Sequence, residues 1–135
     1  MAKKITEIEG IGPAAAEKLA AMDITTVEGL LEKGAEKKGR TEIADATGMP
    51  IKKVLTFVNM ADLFRIKGVG AEYAELMQAS GVNTVVELGK RKPENLHVKM
   101  LEVNEAKKLV RQPPSEKVVT GWVEQAKELP RVVNY

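Results

Sequence analysis

The most restrictive feature of this sequence is a short motif that occurs twice. The motif IEGIGP at residues 8–13 recurs as IKGVGA at residues 66–71, and the similarity continues without a gap to Leu30 and Leu88. The two copies are 58 residues apart throughout. A fixed internal period is typical of a duplicated supersecondary unit. The sequence therefore predicts that the chain contains two copies of one small structural unit.

Composition narrows the class of fold and of function. Of the 135 residues, 44% are apolar but only 4% are aromatic. An aliphatic, alanine- and methionine-rich core favours helices over a β-sandwich. The chain has no cysteine, which excludes disulfides and thiolate sites and fits the reducing cytoplasm, where we expect the protein to reside. No stretch approaches the roughly 18 apolar residues of a transmembrane helix, so we expect no membrane partner.

Apolar spacing and helix-breaking residues predict an all-α fold. Pro13 stands at a first helical position, where its missing N–H costs nothing, and apolar side chains recur at helical spacing after each glycine motif. A short helix is expected between the capping residue Thr26 and Gly34. The other predicted helices cover residues 13–22, 41–47, 50–64, 71–80, 84–88, 93–100, 103–111 and 115–129.

The repeat also predicts the domain organisation. The first repeat with its connecting helix is expected at residues 1–64, and the second repeat with the C-terminal helix at residues 65–135. Trp122 corresponds to Phe57 at an offset of 65 rather than 58, so the second copy has gained about seven residues, which we place near His97. Because no low-complexity linker separates the copies, we expect two pseudo-symmetric repeats packed into one compact domain.

A glycine turn that opens a helix has a chemical meaning. Glycine permits backbone conformations that are closed to other residues and lets the backbone approach a ligand closely. The helix that follows begins with unpaired N–H groups and the positive end of its dipole, which suits a phosphate. The segments before both turns lack a strand pattern and no Gly-Lys-Ser/Thr occurs, so neither a dinucleotide-binding motif nor a P-loop is indicated. The alternative is a tight helix connection that only packs.

The first copy resembles the helix-hairpin-helix motif of DNA polymerase beta, DNA ligases and RuvA-type proteins. The resemblance rests on the pattern IxGIGPxxAxKL at residues 8–19 and ITTVExL at residues 24–30. In those proteins hairpin amides hold one DNA backbone without reading sequence, and some hairpins bind a sodium or potassium ion through carbonyl groups. The resemblance implies that the nucleic-acid-binding residues are Gly10, Ile11, Gly12, Lys18, Lys67, Gly68, Val69 and Gly70.

The same resemblance implies one cofactor, a monovalent cation. The backbone carbonyls that would hold it are those of Thr6, Ile8 and Ile11 in the first copy. The matching carbonyls of the second copy are those of Phe64, Ile66 and Val69. No other cofactor is expected.

Over nearly its whole length the chain is similar to a mainly bacterial family of paired helix-hairpin-helix units that is catalogued as a domain of unknown function (4332). The similarity is carried by DLFRIKGVG at 62–70, RKPENLH at 91–97, VNE at 103–105, and Trp122 with Ala126. This resemblance implies the fold and supplies no activity.

The second copy departs from the DNA-binding pattern. Many DNA-binding hairpins carry Lys or Arg two residues after the second glycine, where this chain has Ala14 and Glu72. A carboxylate near a phosphate is repulsive by about 1 kcal/mol or more at a partly desolvated distance. Lys18 is replaced by Leu76 in the second copy. We therefore expect the second hairpin to be structural, or to face something other than DNA.

No residue pattern is typical of catalysis. His97 has no nucleophile or second histidine in a recognisable arrangement, so a buried or capping role is expected. Trp122 is expected in the core. The basic run KRK at residues 90–92 is either a solvated loop or a contact for nucleic acid or an acidic partner. Metal clusters, nucleophile–base pairs and hydrolytic carboxylate pairs are not indicated.

Two hypotheses of function follow, and both are non-enzymatic. The leading hypothesis is weak, sequence-independent binding to the DNA backbone, which the signature GIGPxxAxK at residues 10–18 favours. The second is a protein-interaction or scaffolding module that keeps the fold without binding DNA. A net charge of only +2 and a pI near 8.8 favour the second, because nucleic-acid-binding domains usually have a pI above about 9. An enzyme that uses His97 with nearby carboxylates is a third, disfavoured class.

Overall fold

A computed structural model describes residues 3–135 of the chain, and its regular secondary structure is helical. The predicted all-α fold is confirmed. A short 3₁₀ helix at Ile5–Glu7 precedes eight α-helices, which are α1 (Pro13–Ala20), α2 (Val27–Gly34), α3 (Lys37–Thr47), α4 (Ile51–Leu63), α5 (Ala71–Ala79), α6 (Val85–Lys90), α7 (Pro93–Lys107) and α8 (Glu116–Lys127). Within residues 3–135, no helix combines the length and the apolar character that crossing a bilayer requires.

The chain divides into two compact units. The first unit contains the described residues up to Asp62 together with Val132–Tyr135, and the second contains Leu63–Arg131. The final four residues therefore belong to the first unit, although they lie at the opposite end of the sequence. Val133 is buried, and the amide of Asn134 donates to the carbonyl of Ala35 at 2.8 Å.

In the first unit, helices α1 and α2 pack against α3 around a core that is aliphatic apart from Phe57. Its buried side chains include Ile5, Ile8, Ile11, Leu19, Ile24, Val27, Leu30, Ile43, Val54, Phe57 and Val58. Two glycines permit this packing. A side chain at Gly39 would overlap the carbonyl oxygen of Lys33, and one at Gly34 would overlap Val58. Both positions therefore need glycine for close helix contact.

In the second unit, helices α6 and α7 pack against α8, and α5 packs against α7. The buried side chains include Ile66, Val69, Leu76, Met77, Val82, Val85, Leu88, Leu96, Met100, Val119, Trp122 and Val123. The core is aliphatic apart from Phe64 and Trp122, and the predicted burial of Trp122 is confirmed.

Helix α7 corrects two sequence predictions. Separate helices at 93–100 and 103–111 were expected, but one helix runs from Pro93 to Lys107 because its buried side chains continue at a spacing of four residues. It ends at Lys108, which adopts a left-handed conformation with φ of 50°. The helix is unbroken at His97, so the insertion expected there was also wrongly placed. The additional residues of the second copy extend the end of α7 and the loop before α8.

Candidate functional site

The two glycine motifs fold into turns with the same backbone conformation. Gly10 and Gly68 have φ angles of 95° and 91°, in the left-handed region that favours glycine. The amide of Ile11 donates to Ile8 at 3.1 Å, and that of Val69 donates to Ile66 at 3.2 Å. The same hydrogen-bond pattern therefore closes both turns.

The helices after the turns also begin in the same way. Gly12 and Gly70 are the N-cap residues of α1 and α5, both in extended conformation. The carbonyl of Gly12 accepts from Ala16, and that of Gly70 from Ala74, both at 2.9 Å. Neither glycine has a side chain that can cap the first turn, so the first amides of both helices stay open to an external acceptor.

An aromatic side chain lies against each turn. A β-carbon on Gly10 would lie 3.1 Å from Phe57 Cε1, and one on Gly68 would lie 3.5 Å from Trp122 Nε1. Phe57 and Trp122 are each only 4% exposed. The correspondence of these two side chains at an offset of 65 is thus matched by equivalent contacts. A buried aromatic side chain therefore packs behind each turn.

The free amides of the turns form two sets. Among residues 3–135, no hydrogen-bond acceptor from the protein is found for the amides of either set. The first set comprises Gly10, Gly12, Ala14 and Ala15, and the second comprises Gly68, Gly70, Ala71 and Glu72. Most of these residues are exposed. Each turn therefore presents several N–H donors at the positive end of a helix, an arrangement suited to an anion.

Other predicted contact residues have different surroundings. Ile11 and Val69 are buried, and their amides are used inside the turns. The amide of Lys67 donates to Gln125 Oε1 at 2.9 Å. Only the exposed side chain of Lys67 is therefore available to contact a ligand. Lys18 is exposed on α1, whereas its counterpart Leu76 is in the core.

The predicted cation-binding carbonyls are partly engaged within the first turn. The carbonyl of Ile8 accepts the amide of Ile11, while in the described chain those of Thr6 and Ile11 accept no hydrogen bond. Carbonyl oxygens are suitable ligands for sodium or potassium. A metal site built from side chains is not found among the described residues, which contain no group of three His, Cys, Asp or Glu that could hold a metal.

A cavity of about 430 Å³ lies beside the second turn. Its lining combines the turn and the start of α5 with the loop before α8, and consists of Gly68, Gly70, Ala71, Glu72, Tyr73, Val110, Arg111 and Gln112. Arg111 was not predicted as a site residue, because it lies in the part of the second copy that has no counterpart in the first. No motif in the sequence signals its proximity to the turn.

The remaining candidate residues are the basic run at residues 90–92 and His97. The Arg91 guanidinium donates to the carbonyl of Ser80 at 3.3 Å, close to the end of α5, so only Lys90 and Lys92 of the basic run are fully exposed. His97 is half-buried in α7 and, within residues 3–135, forms no hydrogen bond. The capping role that its isolation suggested therefore finds no partner there.

Fold and site together define a class of protein. Proteins of this class are all-helical and carry two glycine turns of the same geometry, with a helix beginning directly after each turn. A scan of known protein families then matches residues 9–129 to the family described as Domain of unknown function (DUF4332). The chain belongs to this family, which confirms the resemblance to a family of unknown function. No curated protein and no solved structure matches the chain.

Proposed function

We propose that this protein is a tandem helix-hairpin-helix module that binds the nucleic-acid backbone weakly, without sequence preference and without catalysing a reaction. The observation that carries the proposal is the pair of turns with the same geometry, each presenting unbonded amides at the start of a helix. A helix-hairpin-helix unit uses such a turn as its hairpin. The nearly equal hydrogen-bond distances in the two turns support a duplicated unit.

The chemistry of the turns favours a phosphodiester as the ligand. Its non-bridging oxygens accept hydrogen bonds from backbone N–H groups, and its charge is stabilised by the helix dipole. Such contacts position a protein on nucleic acid but carry no base information. Within residues 3–135, no helix has a continuous basic face that would enter a groove. Sequence-independent binding follows from this arrangement.

The size of the two turns limits affinity. Together they can hold roughly two to four phosphates, and each neutralised phosphate contributes about −0.9 to the slope of log affinity against log salt for duplex DNA. We therefore expect a shallow slope of about −2 to −4 and micromolar or weaker affinity.

A protein-interaction module is the second candidate function. Val98 and Leu101 lie three residues apart on α7 and are 53% and 40% exposed, which gives this helix an apolar strip that a partner could cover. The net charge of +2 also suits this candidate. Binding to such a strip would depend little on salt, because apolar burial is not screened.

Two further features stay proposals. A monovalent cation would be held by the carbonyls of Thr6, Ile8 and Ile11 and would neutralise charge near a bound phosphate. A cytoplasmic location rests on the absence of cysteine alone.

The test is a titration of labelled DNA with the folded protein, followed by fluorescence anisotropy. Duplex and single-stranded oligonucleotides of equal length and different sequence are compared between about 50 and 200 mM salt, the range over which phosphate contacts lose affinity. We expect binding that weakens with the shallow slope given above and does not vary with sequence. If the folded protein shows no binding at the lowest salt concentration, the protein-interaction function takes its place.

A further inference from the structure

We infer that Arg111 completes a phosphate site at the second turn, so that this turn binds the nucleic-acid backbone more strongly than the first. The inference rests on the proposed function. It reverses the ranking that the motif alone suggests, in which Lys18 marks the first turn as the binding one and Glu72 marks the second as structural.

The residues that precede the two left-handed glycines already favour the second turn. Glu9 stands before Gly10, whereas Lys67 stands before Gly68, and both side chains are exposed. The two turns therefore differ by two charges at this equivalent position. A carboxylate beside the amides repels a phosphate, and an ammonium group attracts it. Lys67 thus offsets the effect of Glu72 on the other side of the second turn.

Arg111 adds a second cation at the same place. It lines the cavity of about 430 Å³ together with Gly68, Gly70 and Ala71. Its side chain is exposed and, in the described chain, forms no ion pair or hydrogen bond with a protein group. Glu72 lines the same cavity, but its carboxylate forms no ion pair with Arg111. The guanidinium is therefore available to a ligand, and it can hold a phosphate through two parallel hydrogen bonds.

The loop that carries Arg111 is fixed on both sides of it. Asn104, a buried residue of α7, accepts from the Val110 amide at 2.9 Å and donates to the Val110 carbonyl at 3.1 Å. On the other side, the hydroxyl of Tyr73 donates to the carbonyl of Gln112 at 3.3 Å. Tyr73 belongs to the first turn of α5. The loop is thus anchored to the helix whose free amides line the cavity.

This anchoring explains what the inserted residues do. An arginine on a mobile loop would lose considerable conformational freedom on binding, whereas one between two fixed backbone positions loses mainly side-chain freedom. The first unit connects α3 to α4 through only Gly48, Met49 and Pro50. The equivalent loop of the second unit is longer and supplies a cation that the helix-hairpin-helix motif does not encode.

The test compares three variants that each remove one positive charge. Arg111→Gln should weaken binding to a labelled oligonucleotide by roughly five- to tenfold at about 50 mM salt and reduce the salt slope by about 0.9, the effect of one lost phosphate contact. Lys117→Gln is the matched control, since Lys117 is exposed on α8 and does not line the cavity, and it should change affinity less than about twofold. Lys18→Gln should have a smaller effect than Arg111→Gln.

The outcomes separate this inference from the proposed function. If the wild-type protein binds DNA and Arg111→Gln behaves like Lys117→Gln, the inference is wrong and the proposed function stands. A wild-type protein that is folded but does not bind overturns both. Within residues 3–135, the Arg111 side chain forms no hydrogen bond or ion pair with the protein, so circular dichroism should show an unchanged helix content for Arg111→Gln. Glu72→Gln provides a second readout, because removal of the carboxylate from the cavity should strengthen binding.

Discussion

At the residue scale, the four turn glycines serve two different purposes. Gly10 and Gly68 have positive φ angles, so a side chain there is strained whatever space surrounds it. Gly12 and Gly70 have ordinary negative φ angles, and a β-carbon on either would meet no atom within 4 Å. The first pair is therefore needed for the fold. The second pair leaves open the space that a phosphate would occupy.

This difference yields the first prediction. Gly12→Val should leave the fold intact but remove the contribution of the first turn to DNA binding, because its side chain blocks close approach to the amides at the start of α1. Gly10→Ala should instead destabilise the protein by about 1 kcal/mol or more, because the β-carbon of alanine is strained in the left-handed conformation. Urea unfolding measures the stability of both variants, and anisotropy measures their binding. Unfolding of the Gly12→Val protein would contradict this division of roles.

Glu42 gives a pH-dependent prediction. A hydrogen bond from Lys33 and the charge of that lysine lower the pKa of the Glu42 carboxyl below its usual 4.5. Because the pKa is lowered in the folded state, the stabilising contribution is fully present above the unfolded pKa and is lost as pH falls through the folded pKa. Lys33→Met should raise the pKa of Glu42 towards its usual value. An NMR titration of the Glu42 carboxyl checks this, and an unchanged pKa would show that the pair does not persist in solution.

At the scale of elements, the end of the chain is held by a buried arginine. Arg40 on α3 donates to the carbonyls of Gly34, Ala35 and Asn134 at 2.8, 3.0 and 2.7 Å. It therefore satisfies the end of α2 and fixes the C-terminal residues within the first unit. The amide group of Asn134 also donates to Glu36 Oε1 at 2.8 Å. The last residues of the chain are thus part of the fold of this unit.

Loss of this arginine should destabilise the first unit. Arg40→Met removes three charge-assisted hydrogen bonds and leaves the carbonyl of buried Gly34 without this donor, which should cost about 2–4 kcal/mol. Deletion of residues 132–135 should cost part of the same free energy, so the two changes should be less than additive when combined. Urea unfolding measures all three proteins. Lys52→Met, at an exposed position of α4, is the control, and a similar loss of stability in that variant would remove the special role of Arg40.

Local features of the helices and turns could be predicted from the sequence, whereas contacts between distant residues could not. Both turns, the helices that follow them and the burial of Phe57 and Trp122 could be anticipated, because glycine and apolar spacing are local signals. The break predicted after Met100 was wrong: Leu101 and Glu102 carry no helix-breaking signal, and α7 continues through them to bury Asn104 one turn beyond Met100. The contacts of Arg40 with Asn134 and the position of Arg111 beside Gly70 join residues that are distant in sequence. Such contacts leave no local pattern to read.

At the scale of the whole molecule, charge should control binding although the net charge is small. Lys18→Glu places a carboxylate on α1 and should weaken DNA binding, whereas Glu72→Lys removes one from the cavity at the second turn and should strengthen it. Each variant changes the net charge by two, in opposite directions, so the pair also tests the sign of the effect. Affinity measured at low salt checks both. If neither change alters affinity, the turns do not face nucleic acid.

We propose that the free amides of the glycine turns contact phosphate. An NMR titration of the ¹⁵N-labelled protein with a short oligonucleotide tests this most directly, because the backbone amides of Gly10, Gly12, Gly68 and Gly70 report individually. We expect these four signals to shift on binding, those of the second turn at lower DNA concentration, and the amide signal of exposed Gly121 on α8 to stay unchanged. Binding that shifts only residues of the apolar strip on α7, Val98 and Leu101, would contradict it.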